Sequence, residues 1–85
     1  MNTFHLVIAS VGETRFDGQA ASATFPGSAG EMTVLAHHEP FVTTLKKGTI
    51  RVDEGTEGSV RAGRHMFEIE GGVLEVSGNR AVALL

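Results

Sequence analysis

The sequence predicts an all-β domain, a sandwich or flattened barrel built from about eight or more short strands. Apolar residues recur at every second position in short runs, the period of a half-buried strand. Eleven glycines divide the chain into those runs. No stretch of useful length carries the period of an amphipathic helix.

Taken in order, Phe4, Leu6 and Ile8 alternate with His5 and Val7, which predicts a strand with one buried face. Gly12 to Arg15 reads as a turn, and Arg15-Phe16-Asp17-Gly18 as a short strand end or bend. Within Gln19 to Phe25, the residues Ala21, Ala23 and Phe25 share one strand face. Pro26-Gly27-Ser28 and Gly30 form a turn-rich loop, and Met32 to Leu35 a strand. Pro40 interrupts whatever follows His38. Phe41-Val42-Thr43-Thr44-Leu45 is β-branched and aromatic, hence a strand. Lys46-Lys47-Gly48 reads as a turn before Thr49-Ile50-Arg51-Val52 resumes extended structure. Asp53 to Gly63 is polar and Gly-rich, a loop or irregular hairpin. His65 to Glu70 alternates with Phe67 and Ile69 inward; Gly71-Gly72 interrupts; Val73 to Val76 continues. Ser77-Gly78-Asn79-Arg80 is a hairpin turn, since Gly and Asn accept positive φ, and Ala81 to Leu85 returns. The expected core is Phe4, Leu6, Ile8, Phe25, Phe67, Ile69, Leu74 and Val76.

The 85 residues suffice for one domain, residues 1–85, without repeat or linker. A domain of this size has a thin core and a stability of about 5 kcal/mol. The absence of cysteine favours the cytosol. No basic start precedes an apolar run, so no signal peptide is expected. The longest apolar run, Leu6-Val7-Ile8-Ala9, is far too short to span a bilayer. Seven basic and ten acidic residues give a net charge of −3, and Lys46-Lys47 with Arg51 is a weak footprint for nucleic acid. The chain stops inside the apolar run Val82-Ala83-Leu84-Leu85, which suggests that something has been removed or is supplied elsewhere.

Candidate chemistry concentrates between Gly30 and Pro40. Glu31, His37, His38 and Glu39 are metal-ligand types. Adjacent residues of a strand point to opposite faces, however, so His37 and His38 are poorly placed to share one ion. His5 and His65 stand isolated. No serine lies in a G-x-S-x-G elbow. Pro26 to Gly30 lacks the Gly-Lys-Ser/Thr of a phosphate loop, and Glu31 beside it would repel phosphate. Read from its surroundings alone, Glu31 is a solvated loop carboxylate.

The order of several short motifs resembles one family. Phe4-His5-Leu6 with Ser10, Phe16-x-Gly18, Pro26-Gly27-Ser28-x-Gly30-Glu31, Leu35-x-x-His38-x-Pro40, Leu45-Lys46-x-Gly48-x-Ile50-Arg51-Val52, Gly71-Gly72-x-Leu74-Glu75-Val76 and Gly78-Asn79 run through the whole chain. Together they resemble the N-terminal β-sandwich domain of the epsilon subunit of F-type ATP synthases, called delta in mitochondria. The chain departs from the family at Thr33, Ala36-His37 and Glu39, where Gly, Pro-Gly and a small residue are usual.

The resemblance implies a flattened β-sandwich of about ten short strands and a mechanical, non-catalytic role. In the family, epsilon joins the gamma subunit in the central stalk and rests on the c-ring. The stalk turns as protons or sodium ions cross the membrane, and rotation drives ATP synthesis elsewhere. Carried over by position, Ser28, Gly30 and Glu31 contact the c-ring, and Ser10, His38, Pro40 and Thr43 face gamma. No cofactor, metal, nucleic acid or membrane insertion is implied, and in a bacterium the subunit lies peripherally on the cytoplasmic face of the inner membrane. The family's inhibitory and nucleotide-binding C-terminal helical hairpin is expected to be missing, and with it ATP binding. Two other classes stay open: a generic β-sandwich protein-binding module and a small His/Glu metal-binding protein.

Overall fold

The computed structural model describes residues 2–55 and 63–85. Every regular element among them is a strand: Phe4–Ser10 (β1), Glu13–Ala20 (β2), Ser22–Gly27 (β3), Gly30–Leu35 (β4), Phe41–Asp53 (β5), Arg64–Ser77 (β6) and Arg80–Leu84 (β7). They form one hydrogen-bonded sheet in the order β2-β1-β7-β6-β5-β3-β4. All pairings are antiparallel except that of β1 with β7.

This sheet makes two layers by folding across its two longest strands. The Val73–Ser77 half of β6 pairs with β7 and so belongs with β1 and β2. The far half of β5, through Arg51, Val52 and Asp53, pairs with β3 and so belongs with β4. Phe4, Leu6, Ile8, Leu74, Val76, Ala81 and Ala83 from one layer meet Ala23, Phe25, Val34, Ile50, Val52 and Ile69 from the other in a single core. The inner residues are those that strand alternation selects.

The fold class is therefore as expected, but the strands are fewer and longer. Lys46-Lys47-Gly48 does not reverse the chain; it lies inside a 13-residue strand. Gly71-Gly72 lies inside a 14-residue strand, with Lys46 opposite Gly71. The two interruptions are one structural event, the corner where the sheet passes between layers. Across it the buried side shifts from Leu45 to Ile50 and Val52 in β5, and from Ile69 to Leu74 and Val76 in β6. Gly72 has φ +154°, and a Cβ there would run into the carbonyl oxygen of Leu84. The corner needs a residue without a side chain.

Three local readings are also corrected. The turn after β1 is confined to Val11-Gly12, and Glu13 to Gly18 is strand. Its charges reflect its place at the sheet edge, where polar residues discourage further pairing. Ala21 sits half-buried in the bend between β2 and β3, not on the face of Ala23 and Phe25. The turn after Pro26 shrinks to Ser28-Ala29, because Pro26 and Gly27 belong to β3 and Gly30 to β4. Phe67 faces the expected way but is half-buried at the core margin, against Phe16 at 6.2 Å. The expected loop from Asp53 to Gly63 lies mostly outside the described residues; its ends are joined by Glu54 N–H donating to Gly63 O at 2.6 Å.

Candidate functional site

The first candidate region is the tip of the β3–β4 hairpin. Gly27 faces Gly30 as the last strand pair, leaving Ser28 and Ala29 as a two-residue turn. The tip is braced on β5: Ser28 N–H donates to Thr44 O at 3.0 Å, and the Ser28 and Thr44 hydroxyls lie 2.7 Å apart. Glu31 follows, opposite Pro26. Its carboxylate accepts a hydrogen bond from the Arg51 guanidinium at 2.9 Å. Both side chains are more than half exposed, so the pair orients Glu31 more than it stabilises the fold. Arg51 is a partner that sequence reading missed, because it sits 20 residues away and meets Glu31 only through strand pairing.

The second region is the segment from His37 to Pro40, at the other end of the sandwich. His37 is one of two non-glycine residues with positive φ among the described residues, at +62°, and its N–H donates to Asn79 Oδ1 at 2.7 Å. His38 donates through Nδ1–H to the Glu39 carbonyl at 2.9 Å, which fixes its tautomer, and its ring lies 4.9 Å from that of Phe41. Pro40 is exposed and leads directly into β5.

Ser10 and Thr43 do not join His38 and Pro40 in one cluster. Ser10 ends β1 opposite Glu13, while Phe41 lies in the row of Val76, Ala81 and Leu6. Ser10 is thus displaced from that row by roughly 13 Å along the strands. Thr43 is half-buried on the inner side of β5, opposite Leu74.

What lies between these points is an outer face that the sequence reading did not name. Thr44, Val73, Leu84 and Ala9 form one cross-strand row, and Val42, Glu75, Val82 and Val7 the next. Val42, Val73 and Leu84 are 66%, 41% and 59% exposed. Exposed apolar side chains gathered on adjoining strands are a candidate interaction surface. Its signal was present in the sequence: Leu6-Val7-Ile8-Ala9 and Val82-Ala83-Leu84 are apolar on both strand parities, where one solvated face calls for alternation.

The metal-ligand types do not converge. Glu31 is held by Arg51, and the His37 main chain by Asn79. Among the described residues no three His, Cys, Asp or Glu side chains stand together as a metal site.

Residues 3–84 match the family model for the ATP synthase Delta/Epsilon chain β-sandwich domain. The ATP synthase epsilon chain of Delftia acidovorans is 34% identical over 84 residues, covering 99% of this chain and 57% of the relative. That of Hyphomonas neptunium is 40% identical over 73 residues, covering 86% and 50%. The chain thus spans just over half the length of the curated relatives it matches. Among solved structures, a chain of the Euglena gracilis mitochondrial ATP synthase, OSCP/F1/c-ring in rotational state 1, superposes with a TM-score of 0.81 at 24% identity, over 99% of this chain and 51% of that one. A chain of the Tetrahymena thermophila mitochondrial ATP synthase central stalk/c-ring superposes with a TM-score of 0.73 at 12% identity, over 94% and 60%. Both share the fold. With the match extending over both layers of the sandwich, the chain belongs to the ATP synthase Delta/Epsilon chain β-sandwich family.

Proposed function

We propose that this chain is a non-catalytic part of the central stalk of an F-type ATP synthase, joining the gamma subunit to the c-ring and transmitting ion-driven rotation to ATP synthesis. The observation that carries this reading is the exposed apolar face of Val42, Val73 and Leu84, flanked by two braced ends, on a chain of this family. A coupling part must be stiff and must grip two partners; one folded sheet with a continuous core supplies the stiffness. The apolar face supplies a gamma-docking surface, with Ser10, His38 and Pro40 at or near its borders and Thr43 turned inward behind it. The Ser28, Gly30 and Glu31 tip meets the c-ring, where a partly exposed carboxylate tunes orientation more than affinity.

In this role the chain binds no cofactor, nucleotide or nucleic acid and makes or breaks no bond. It sits peripherally on a membrane-bound complex, on the cytoplasmic face of the inner membrane in a bacterium. Binding to the gamma subunit of the same organism tests the reading. The chain should co-purify with gamma, and a Val73→Glu and Leu84→Lys double variant, outward-facing and so still folded, should bind at least about tenfold more weakly. Unchanged affinity would remove the apolar face from the interface.

A further inference from the structure

We infer that Asn79 is a positioning residue that fixes the His37–Pro40 loop in the shape that gamma meets, an inference that rests on the reading of that loop as gamma-facing. Asn79 joins three segments far apart in sequence. Its Oδ1 accepts the His37 N–H at 2.7 Å, and its Nδ2 donates to the Thr3 carbonyl at 2.9 Å. Its own carbonyl accepts the His5 N–H at 3.2 Å. The amide orientation follows from the partners: a backbone N–H can only donate and a carbonyl can only accept, so the flipped amide would lose both bonds.

Two features make the arrangement specific to asparagine. Gly78 and Asn79 have φ of +59° and +58°, the two positive values of a tight hairpin turn between β6 and β7. Glycine and asparagine adopt this backbone readily, but only asparagine adds a side chain with both a donor and an acceptor. The second feature is His37 itself. At φ +62° it sits where a non-glycine side chain is disfavoured, and such a conformation persists only where surrounding contacts determine it. One such contact is the hydrogen bond that the His37 main-chain N–H gives Asn79, and His38 and Pro40 follow within three residues. Without it, the chain from Ala36 to Pro40 has no strand pairing of its own, since β4 ends at Leu35 and β5 begins at Phe41.

Two variants separate the roles of Asn79. Asn79→Gly keeps the turn and removes both side-chain bonds. Asn79→Asp keeps an acceptor facing His37 but replaces the donor to Thr3 with a carboxylate oxygen, acceptor against acceptor. Amide hydrogen exchange at His37 and affinity for the gamma subunit are measured on the whole chain, with exchange at Ile8 and Leu74 reporting the core. In Asn79→Gly, His37 protection and gamma affinity should each fall about fivefold, the fold-change of one ordinary hydrogen bond, with core protection retained. Asn79→Asp should recover part of both, its anionic acceptor holding His37 while its other oxygen faces the Thr3 carbonyl unfavourably. Retained His37 protection in Asn79→Gly overturns the inference, as does His37 protection in Asn79→Asp no higher than in Asn79→Gly. Lost protection with unchanged gamma affinity overturns the positioning role, provided His38→Ala weakens binding. If His38→Ala also leaves affinity unchanged, the loop does not face gamma, and the proposal falls with that assignment.

Discussion

The hairpin tip at Ser28–Glu31 and the loop at His37–Pro40 are both exposed, short and polar, yet they are held in different ways. The tip is an extension of regular structure. Gly27 pairs with Gly30 on one side and Leu45 on the other, and Leu45 pairs in turn with Gly72. The tip therefore stands on the sheet corner, and Ser28 adds two bonds to Thr44. The loop has no ladder; a side chain 42 residues away holds it. A tip built on paired strands resists bending because moving it breaks a row of main-chain bonds together. A loop held by one side chain can be released alone.

The largest effect should come from removing what both regions share. Phe25 is fully buried on β3, directly behind the tip, and Phe25→Ala should destabilise the domain by about 3–5 kcal/mol. That is close to the whole stability expected of a domain this small. Phe67 is only half-buried, so Phe67→Ala should cost about half as much. Chemical denaturation of both variants measures the difference. Equal losses would mean that Phe67, with Phe16 against it, closes the sandwich as firmly as the central core does.

Next in size is a substitution that divides the two ends. Gly72→Ala drives a methyl group into the Leu84 carbonyl at a backbone angle that alanine disfavours, at a cost of about 2–4 kcal/mol. The distortion lies in the row that supports the tip. Amide exchange at Ser28 and Glu31 should quicken more than at His37, whose bond to Asn79 is made at the opposite end. Equal quickening at both ends would show that the sheet transmits strain as one body, and the contrast between tip and loop would be lost.

How much of this was legible follows from the range of each interaction. Phe4, Leu6, Ile8, Phe25, Ile69, Leu74 and Val76 were readable as core because strand alternation is a local property of the sequence, and all are buried. The Gly78-Asn79 turn was readable because positive φ selects those residues. The corner leaves two marks in the sequence, Lys46-Lys47-Gly48 and Gly71-Gly72, which by composition suggest a turn and a break. A corner and a chain reversal draw on the same glycine-rich composition, and only the pairing of Lys46 with Gly71 tells them apart. At the candidate site, the place of the Ser28 turn was legible. The Arg51 partner of Glu31 and the Asn79 partner of His37 were not, because each depends on register across the folded sheet.

The smallest effect on the fold, and the one that bears most on function, is expected from Glu31→Lys. The pair with Arg51 is solvent-exposed on both sides, so its loss and the new repulsion should cost about 1 kcal/mol or less. The hairpin itself is held by main-chain pairing and by Ser28, neither of which the substitution touches. Stability and tip exchange should thus stay near those of the parent chain. Charge at the tip, however, changes by two units beside Arg51, at the point proposed to meet the c-ring. In membrane vesicles carrying the assembled complex, ATP synthesis per ion translocated should fall, and raising the ionic strength should narrow the gap between variant and parent by screening an exposed contact. Glu31→Gln, which removes the charge without reversing it, should fall between the two. If coupling is unchanged in Glu31→Lys while the domain stays folded, Glu31 is not a c-ring contact. The Arg51 pair would then be a surface ion pair and nothing more, on a tip held by strand pairing and by Ser28.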